Sequence, residues 1–150
     1  MTTNLKGDIA EQAAALHALK QGWGVLHPVG DRLSYDLVFD VRQRLAKVQV
    51  KATWFDGAKS NYVVDNRRTK TNRRRMLRDT YDASDFDFAL VYLKDLDLFY
   101  VFPVDVFNDY GSEIHMVENE KRQRRPRSAN YRDAWNLLLQ WAAREETPVR

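Results

Sequence analysis

Polar and apolar residues alternate along two consecutive segments of the chain, residues 35–41 and 46–54. A period of two is typical of a β-strand that buries one face, because successive side chains of a strand point to opposite sides. The apolar faces are formed by Leu37, Phe39 and Val41 in the first segment and by Ala46, Val48, Val50, Ala52 and Trp54 in the second. The opposite faces carry Asp36, Val38 and Asp40, and then Lys47, Gln49, Lys51 and Thr53.

The rest of the pattern predicts further strands and a helix at each end of the chain. The strands are expected at residues 23–28, 60–64, 86–93 and 98–102, and the helices at residues 5–21 and 131–144. The Asp56-Gly57 pair favours a hairpin, and the almost wholly apolar run at 86–93 indicates a strand buried on both faces. Asn4 and Asn130 are the candidate N-caps of the helices, and Pro103 can open a short helix through Phe107. The order of elements predicts a mixed α/β fold in which residues 1–150 form one domain.

The first helix presents two different faces. Ile9, Ala13 and Leu16 recur at helical spacing and are expected to face the core. Glu11 lies instead on a strip whose other members are Ala14, Ala15 and Ala18. A strip of alanines lets a helix lie close to another surface, and this strip has a carboxylate at its end.

Composition excludes several classes of protein. No apolar run approaches the roughly 18 to 20 residues of a membrane span, and the N-terminus lacks the apolar stretch of a signal peptide. The chain contains no cysteine, which excludes disulfides and thiolate zinc sites. A soluble, cytoplasmic protein is expected.

Basic residues concentrate in two stretches that contain more than half of the 24 lysines and arginines. The first stretch has Arg67, Arg68, Lys70, Arg73, Arg74, Arg75 and Arg78, and the second has Lys121, Arg122, Arg124, Arg125, Arg127 and Arg132. Dense basic charge without acidic residues favours a polyanionic partner, because each phosphate contact releases condensed counterions. Solvated loops are the alternative interpretation. We expect the residues of both stretches up to Arg127 to contact DNA.

Period-two geometry puts Gln49 and Lys51 on one face of their strand, about 7 Å apart. If the strand before them pairs through the short turn, Asp36 lies opposite, and Glu11 can approach from the helix. Carboxylate and amide oxygens suit Mg²⁺, and a lysine can orient a water molecule or stabilise charge that develops on phosphorus. Such a set suits phosphodiester hydrolysis. Taken alone, an aspartate and a lysine on neighbouring strands are more often a surface salt bridge.

Several segments in order extend this pattern. Residues 7–11 (Gly-Asp-Ile-Ala-Glu), residues 35–40 (Tyr-Asp-Leu-Val-Phe-Asp) and residues 49–51 (Gln-Val-Lys) together resemble the motifs of the PD-(D/E)-XK nuclease superfamily. Residues 85–88 and 99–105 resemble the closing strands of one branch, the group I intron homing endonucleases of this fold. The resemblance covers most of the chain, and its strength lies in the order and spacing of short motifs.

The resemblance implies a role for each candidate. Asp36 matches the metal-binding aspartate, Lys51 the family lysine and Glu11 the helix carboxylate, which is a further candidate metal ligand. Gln49 replaces the acidic ligand of the third motif and can lend an oxygen but no charge, so weaker metal binding is expected. The backbone carbonyl of Val50 would complete the metal shell. The implied cofactor is Mg²⁺, for which Mn²⁺ is expected to substitute, and Asp40 is a competing ligand.

The resemblance also implies the partners. They are double-stranded DNA with a long target site and further copies of the chain in a symmetric homo-oligomer, expected to be a tetramer. The C-terminal helix, apolar on almost all sides, is expected to govern this assembly. Trp54, Trp135 and Trp141 are expected in the core or at an interface. Two alternatives remain open: a structure-specific nuclease of the same fold, such as a Holliday-junction resolvase, and a DNA-binding module that has lost catalysis.

Overall fold

The structure, a computed structural model, describes residues 2–65, 68–71, 76–79, 85–119 and 125–144. Its α-helices are α1 (Thr3–Lys20), α2 (Val104–Asp109) and α3 (Asn136–Ala143). Its strands are β1 (Gly24–Leu26), β2 (Leu37–Val41), β3 (Arg44–Ala52), β4 (Trp54–Asp56), β5 (Asn61–Asp65), β6 (Arg68–Thr71), β7 (Met76–Asp79), β8 (Phe88–Leu93), β9 (Leu98–Pro103) and β10 (Glu113–Met116). The expected mixed α/β fold is confirmed.

A five-stranded sheet in the order β1-β2-β3-β8-β9 forms the centre of the fold. The pairing of β3 with β8 is parallel and the other pairings are antiparallel. Burial alternates along β2, where Leu37, Phe39 and Val41 are fully buried, as the sequence pattern predicts. All six residues of β8 are buried, so this strand is covered on both faces.

The alanine strip of α1 is the face that packs on the sheet. Ala10, Ala14, Ala15 and Ala18 are buried, whereas the expected core residue Leu16 is 53% exposed. The expectation for Leu16 is therefore wrong, because small side chains allow closer approach of the helix to the sheet than leucine would. The helix also begins earlier than expected: Thr2, not Asn4, is the N-cap, and its hydroxyl accepts a hydrogen bond from the Leu5 backbone nitrogen.

A second sheet, in the order β10-β5-β4, is antiparallel throughout. It begins one residue after β3 ends, so the chain passes from the central sheet into it at Thr53. The sheet contributes Val64, Ile114 and Met116 to a core that also contains Ala89 and Phe102. Together with α2, it covers the β8–β9 half of the central sheet on the face opposite α1. The sequence pattern predicted α2 but missed β10, which is only four residues long.

Within the first basic stretch, β6 and β7 pair as a two-stranded hairpin, with Arg68 paired to Asp79 and Thr71 to Met76. The alternative interpretation of this stretch as a solvated loop does not hold for residues 68–71 and 76–79, which form strands. Charge dominates this segment, and the alternation of apolar residues that identifies a half-buried strand is missing from it.

The C-terminal helix is shorter than expected. A 3-10 helix occupies Arg127–Tyr131, and α3 begins only at Asn136, so Asn130 is not its N-cap. Leu138 is fully buried, and Trp141 lies edge-on to Phe88 while the Arg44 guanidinium lies 3.9 Å from the centre of the Trp141 ring. Leu138 is the one residue of α3 that is buried, and most other apolar residues of this helix are only partly buried against the same core, so the expectation that α3 governs assembly stays a prediction. Within the described residues, no helix is long and apolar enough to cross a membrane.

Candidate functional site

Asp36 lies directly before β2, where its side chain reaches the neighbouring strand. Its backbone nitrogen donates to the Val48 carbonyl at 2.9 Å, which continues the ladder in which Leu37 faces Val48. The register therefore places Asp36 opposite Gln49. The Asp36 Oδ2 atom accepts a hydrogen bond from the Val50 backbone nitrogen at 2.7 Å. The carboxylate is thus fixed against the backbone of β3 by a bond that spans two strands.

Glu11 approaches the same point from the alanine strip of α1. Glu11 and Asp36 line one cavity of about 210 Å³ under the segment that joins β1 to β2. Burial raises the pKa of Glu11, and the negative charges of Asp36 and, less strongly, Asp8 raise it further. The two carboxylates therefore interact across the interface of helix and sheet.

Lys51 supplies the positive charge beside this pair. Burial raises the pKa of Asp36, and the Val50 hydrogen bond and the charge of Lys51 oppose that rise without cancelling it. Gln49 and Lys51 are both half-buried, and both line a groove of about 480 Å³ that continues along β3. The structure thus brings Glu11, Asp36, Gln49 and Lys51 together around the Val50 backbone.

The donor set fits a hard divalent cation. Two carboxylates, the Gln49 amide oxygen and the Val50 carbonyl oxygen are the oxygen ligands that Mg²⁺ prefers. The described residues contain no cluster of three or more His, Cys, Asp or Glu side chains arranged to hold a metal ion. Neutral oxygen atoms would therefore have to complete the coordination shell of the ion. The raised pKa values of both carboxylates are those of crowded, partly buried acids, which a bound cation would stabilise in the ionised form.

Asp40 has a different role from Asp36. It lies near the other end of β2, where it pairs with Leu45, and its Oδ1 atom accepts from the Gln43 backbone nitrogen at 3.0 Å. This bond supports the tight turn between β2 and β3, in which Arg42 and Gln43 both have positive φ. Four residues of strand separate the two aspartates by about 13 Å, so Asp40 does not belong to the cluster.

The basic residues divide into three groups. Arg68 and Lys70 lie on β6, and Arg78 lies on β7. Arg125 and Arg127 are both exposed, and Arg127 forms an ion pair with Asp109 while its guanidinium lies over the Tyr110 ring. The remaining candidates lie outside the described residues: Arg67, Arg73, Arg74, Arg75, Lys121, Arg122 and Arg124.

Sequence reasoning missed several residues around the cluster. His27, Asp31 and Tyr35 line the cavity of Glu11 and Asp36, and Lys6 and Trp54 line the groove of Gln49 and Lys51. The segment that joins β1 to β2 has no periodic pattern, so nothing local indicates that it covers the carboxylates. The only sequence signal for Lys6 was its position in the first turns of the helix that carries Glu11.

Comparison with a protein family and comparison with solved structures both relate the chain to endonucleases. The sequence profile of the PD-(D/E)XK endonuclease family matches residues 1–138. Among solved structures, a bacterial homing endonuclease, I-Ssp6803I, is 65% identical in sequence, with a TM-score of 0.91. The match covers 98% of this chain and 100% of that one. No curated protein matches the chain.

Proposed function

The chain belongs to the PD-(D/E)XK endonuclease family, and from this premise we propose that it is a site-specific homing endonuclease that makes double-strand breaks in DNA. Family membership makes it a nuclease, and enzymes of this family generally use divalent metal ions. We propose Mg²⁺ as the ion and residues 1–150 as one endonuclease domain. We propose a cytoplasmic location for the enzyme.

The hydrogen bond from the Val50 nitrogen to Asp36 is the observation that carries this proposal. It holds a carboxylate beside the Val50 backbone, with Gln49 and Lys51 on either side in the sequence and Glu11 above. We propose that Asp36, Gln49, the Val50 carbonyl and Glu11 would hold the ion. When bound, the ion would supply positive charge to the phosphate oxygens and lower the pKa of a bound water. Lys51 would orient the attacking water and stabilise the charge that develops on phosphorus.

Gln49 departs from the acidic ligand of the superfamily motif. An amide oxygen is a ligand without charge, so the proposed site would carry one negative charge less than a site with glutamate there. The two carboxylates alone then balance a divalent cation, while Lys51 adds a positive charge that disfavours it. We therefore expect a weaker affinity for Mg²⁺ than a glutamate at this position would give, with Mn²⁺ able to substitute.

Cleavage of both strands requires more than one copy of the site. One cluster addresses one phosphodiester bond, so we propose that a symmetric homo-oligomer, a tetramer, presents two sites to the duplex. We propose that the two basic stretches bind the long target through its phosphates. Arg68, Lys70 and Arg78 on the β6–β7 hairpin are the described members of the first stretch.

The test is cleavage of a supercoiled plasmid that carries the recognition site of I-Ssp6803I, compared with the empty plasmid. We expect linear product with Mg²⁺ or Mn²⁺ and none with EDTA. Asp36→Ala and Lys51→Ala should each lower the cleavage rate by on the order of a hundredfold or more, because each removes a group that acts on the reacting phosphate. DNA binding should change little.

Matched variants control for general damage to the sheet. Asp40→Ala removes an aspartate from β2, the strand that follows Asp36, and Lys47→Ala removes a lysine from the face of β3 that carries Gln49 and Lys51, so both should cleave at close to the wild-type rate. Equal activity of Asp36→Ala and Asp40→Ala would place the active site elsewhere. Absence of metal-dependent cleavage of either plasmid by the wild type would contradict the proposed function.

A further inference from the structure

The groove that contains Gln49 and Lys51 extends well beyond the carboxylates. Residues 49–54 line it along β3 and into β4, and residues from the first two turns of α1, Lys6 and Gly7, line it as well. Thr3 of α1 and Val64 and Asp65 of β5 complete the lining. Trp54 lies three residue steps beyond Lys51, a span of at most about 10 Å in an extended chain. That is about the axial length of three nucleotides of one DNA strand.

Lys6 gives this extension positive charge. Its side chain is exposed, and it forms no ion pair with a carboxylate among the residues that the structure describes. The adjacent Gly7 faces open space, since a Cβ atom there would meet no atom within 4 Å. The first turn of α1 contains no acidic residue, so the positive end of the helix is not neutralised there. Asp65 is the carboxylate that lines the same groove, against the two lysines Lys6 and Lys51.

Trp54 gives the extension an aromatic surface. It is 45% exposed, whereas Trp23 and Trp135 are 7% and 8% exposed and Trp141 is half-buried. Of the two places expected for Trp54, the core is therefore ruled out and an interface stays a prediction. Thr53 separates β3 from β4, and beyond it the alternation of β3 no longer determines which side chains are covered. A partly exposed indole beside basic residues is suited to packing on a base or a sugar.

We propose that this groove, defined by Lys6 and Trp54, binds the DNA strand one to three nucleotides from the scissile phosphate. Lys6 contacts a backbone phosphate, and the Trp54 ring packs on a nucleotide. Both residues position the strand that the catalytic cluster cuts. The inference rests on the proposed nuclease function. Lys6 and Trp54 would form a part of the DNA-binding site that lies outside the proposed metal ligands and outside both basic stretches.

Binding of a fluorescein-labelled duplex that carries the I-Ssp6803I site tests this proposal, with EDTA present so that the DNA stays intact. Lys6→Ala should lower the slope of log affinity against log salt by about 1.8, because it removes one phosphate contact, worth about 0.9, at each of the two sites that the oligomer presents to the duplex. Lys20→Ala, which removes an exposed lysine from the other end of the same helix, should leave the slope unchanged. Trp54→Ala should weaken binding by on the order of fivefold, because it removes the packing contact of the indole ring with the DNA strand.

Phe55→Ala is the control for Trp54, because Phe55 is the next residue, is 53% exposed and does not line this groove. It should bind as the wild type does. Trp54→Phe keeps an aromatic ring and should recover part of the affinity. Bound DNA should quench tryptophan fluorescence in the wild type and much less in Trp54→Phe, since the other tryptophans are buried or half-buried. The comparison of quenching in the wild type and in Trp54→Phe tests the contact of Trp54 with DNA even if Trp54→Ala does not fold.

Failure of the groove to bind DNA and failure of the proposed function give different experimental results. If Lys6→Ala and Trp54→Phe match their controls in salt slope and quenching while the wild type cuts DNA, the groove is not a DNA site. If the wild type neither binds nor cuts DNA with metal present, the proposed function itself is wrong.

Discussion

The two halves of the central sheet use the same strand geometry for different purposes. In the β8–β9 half, helices cover one face and α2 with the second sheet cover the other, so residues on both faces are buried. In the β2–β3 half only the face toward α1 is fully buried, and Lys47, Gln49 and Lys51 remain half-exposed on the other. The proposed catalytic groups all belong to the β2–β3 half, except Glu11, which lies above it on α1.

This difference has a physical reason. A carboxylate or ammonium group that is fully desolvated costs several kcal/mol unless it is paired, so a strand covered on both faces tolerates few such groups. A strand with one uncovered face keeps them in contact with water and accessible to a substrate. The β8–β9 half therefore supplies stability, and the β2–β3 half supplies a place for charge.

The largest effect that separates the halves is expected from core truncation. Phe102, on β9, is fully buried in the core formed with α2 and the second sheet. Phe102→Ala should lower the free energy of unfolding by about 3 to 5 kcal/mol, through lost burial and the cavity left behind. Val38→Ala, on the less covered face of β2, should cost less than about 1.5 kcal/mol. Urea unfolding of both variants measures this, and equal losses would show that the two halves are covered alike.

The next effect concerns the metal ligand without charge. Gln49→Glu adds a negative charge beside Asp36 and should lower the Mg²⁺ concentration for half-maximal cleavage by on the order of tenfold, or about 1.4 kcal/mol. Gln49→Ala should raise that concentration. Both are measured by titrating Mg²⁺ in the plasmid assay. A Gln49→Ala variant that cleaves like the wild type at every Mg²⁺ concentration would remove Gln49 from the site.

A smaller effect concerns the stability of the metal-free protein. Because burial raises the pKa of Asp36 in the folded state, its ionised form destabilises the fold at pH values above that raised pKa. Asp36→Asn keeps an acceptor for the Val50 nitrogen and removes the charge, so it should raise the melting temperature in EDTA at pH 7. The gain should shrink as pH falls through the folded pKa and disappear below the unfolded value of about 3.9.

Mg²⁺ provides the control for this pH prediction. Saturating Mg²⁺ should stabilise the wild type more than Asp36→Asn, because the ion binds the folded state and needs the ionised carboxylate. A variant that is less stable than the wild type in EDTA at pH 7 would show that burial of Asp36 carries no cost.

The smallest effect is expected at the turn between β2 and β3, far from the cluster. Arg42 and Gln43 have φ of 53° and 72°, a conformation that side chains other than asparagine and glycine adopt at a cost. Replacing the pair with Asn-Gly should raise the free energy of unfolding by about 1 kcal/mol and leave cleavage unchanged. Thermal melts measure the change in stability, and the plasmid assay measures the cleavage rate. A change in the cleavage rate would tie this end of the hairpin to the site.

The sequence by itself determined the strands of the central sheet and the face on which Gln49 and Lys51 lie. Backbone geometry alone makes alternate residues of a strand share a face, so a period of two in Leu37, Phe39 and Val41 can be read without knowing the fold. The same holds for Glu11, whose position on the alanine strip of α1 follows from helical spacing.

Only the tertiary structure decided which surfaces meet. It put the alanine strip rather than Leu16 against the sheet, separated Asp40 from Asp36, packed Leu138 of α3 into the core and left Trp54 exposed beside Lys6. These outcomes depend on packing between segments distant in sequence, where shape and volume select among faces that have similar polarity. Which residues share a face of a strand or helix follows from backbone geometry. Which other surface that face packs against depends on the whole chain, and the candidate site depends on both.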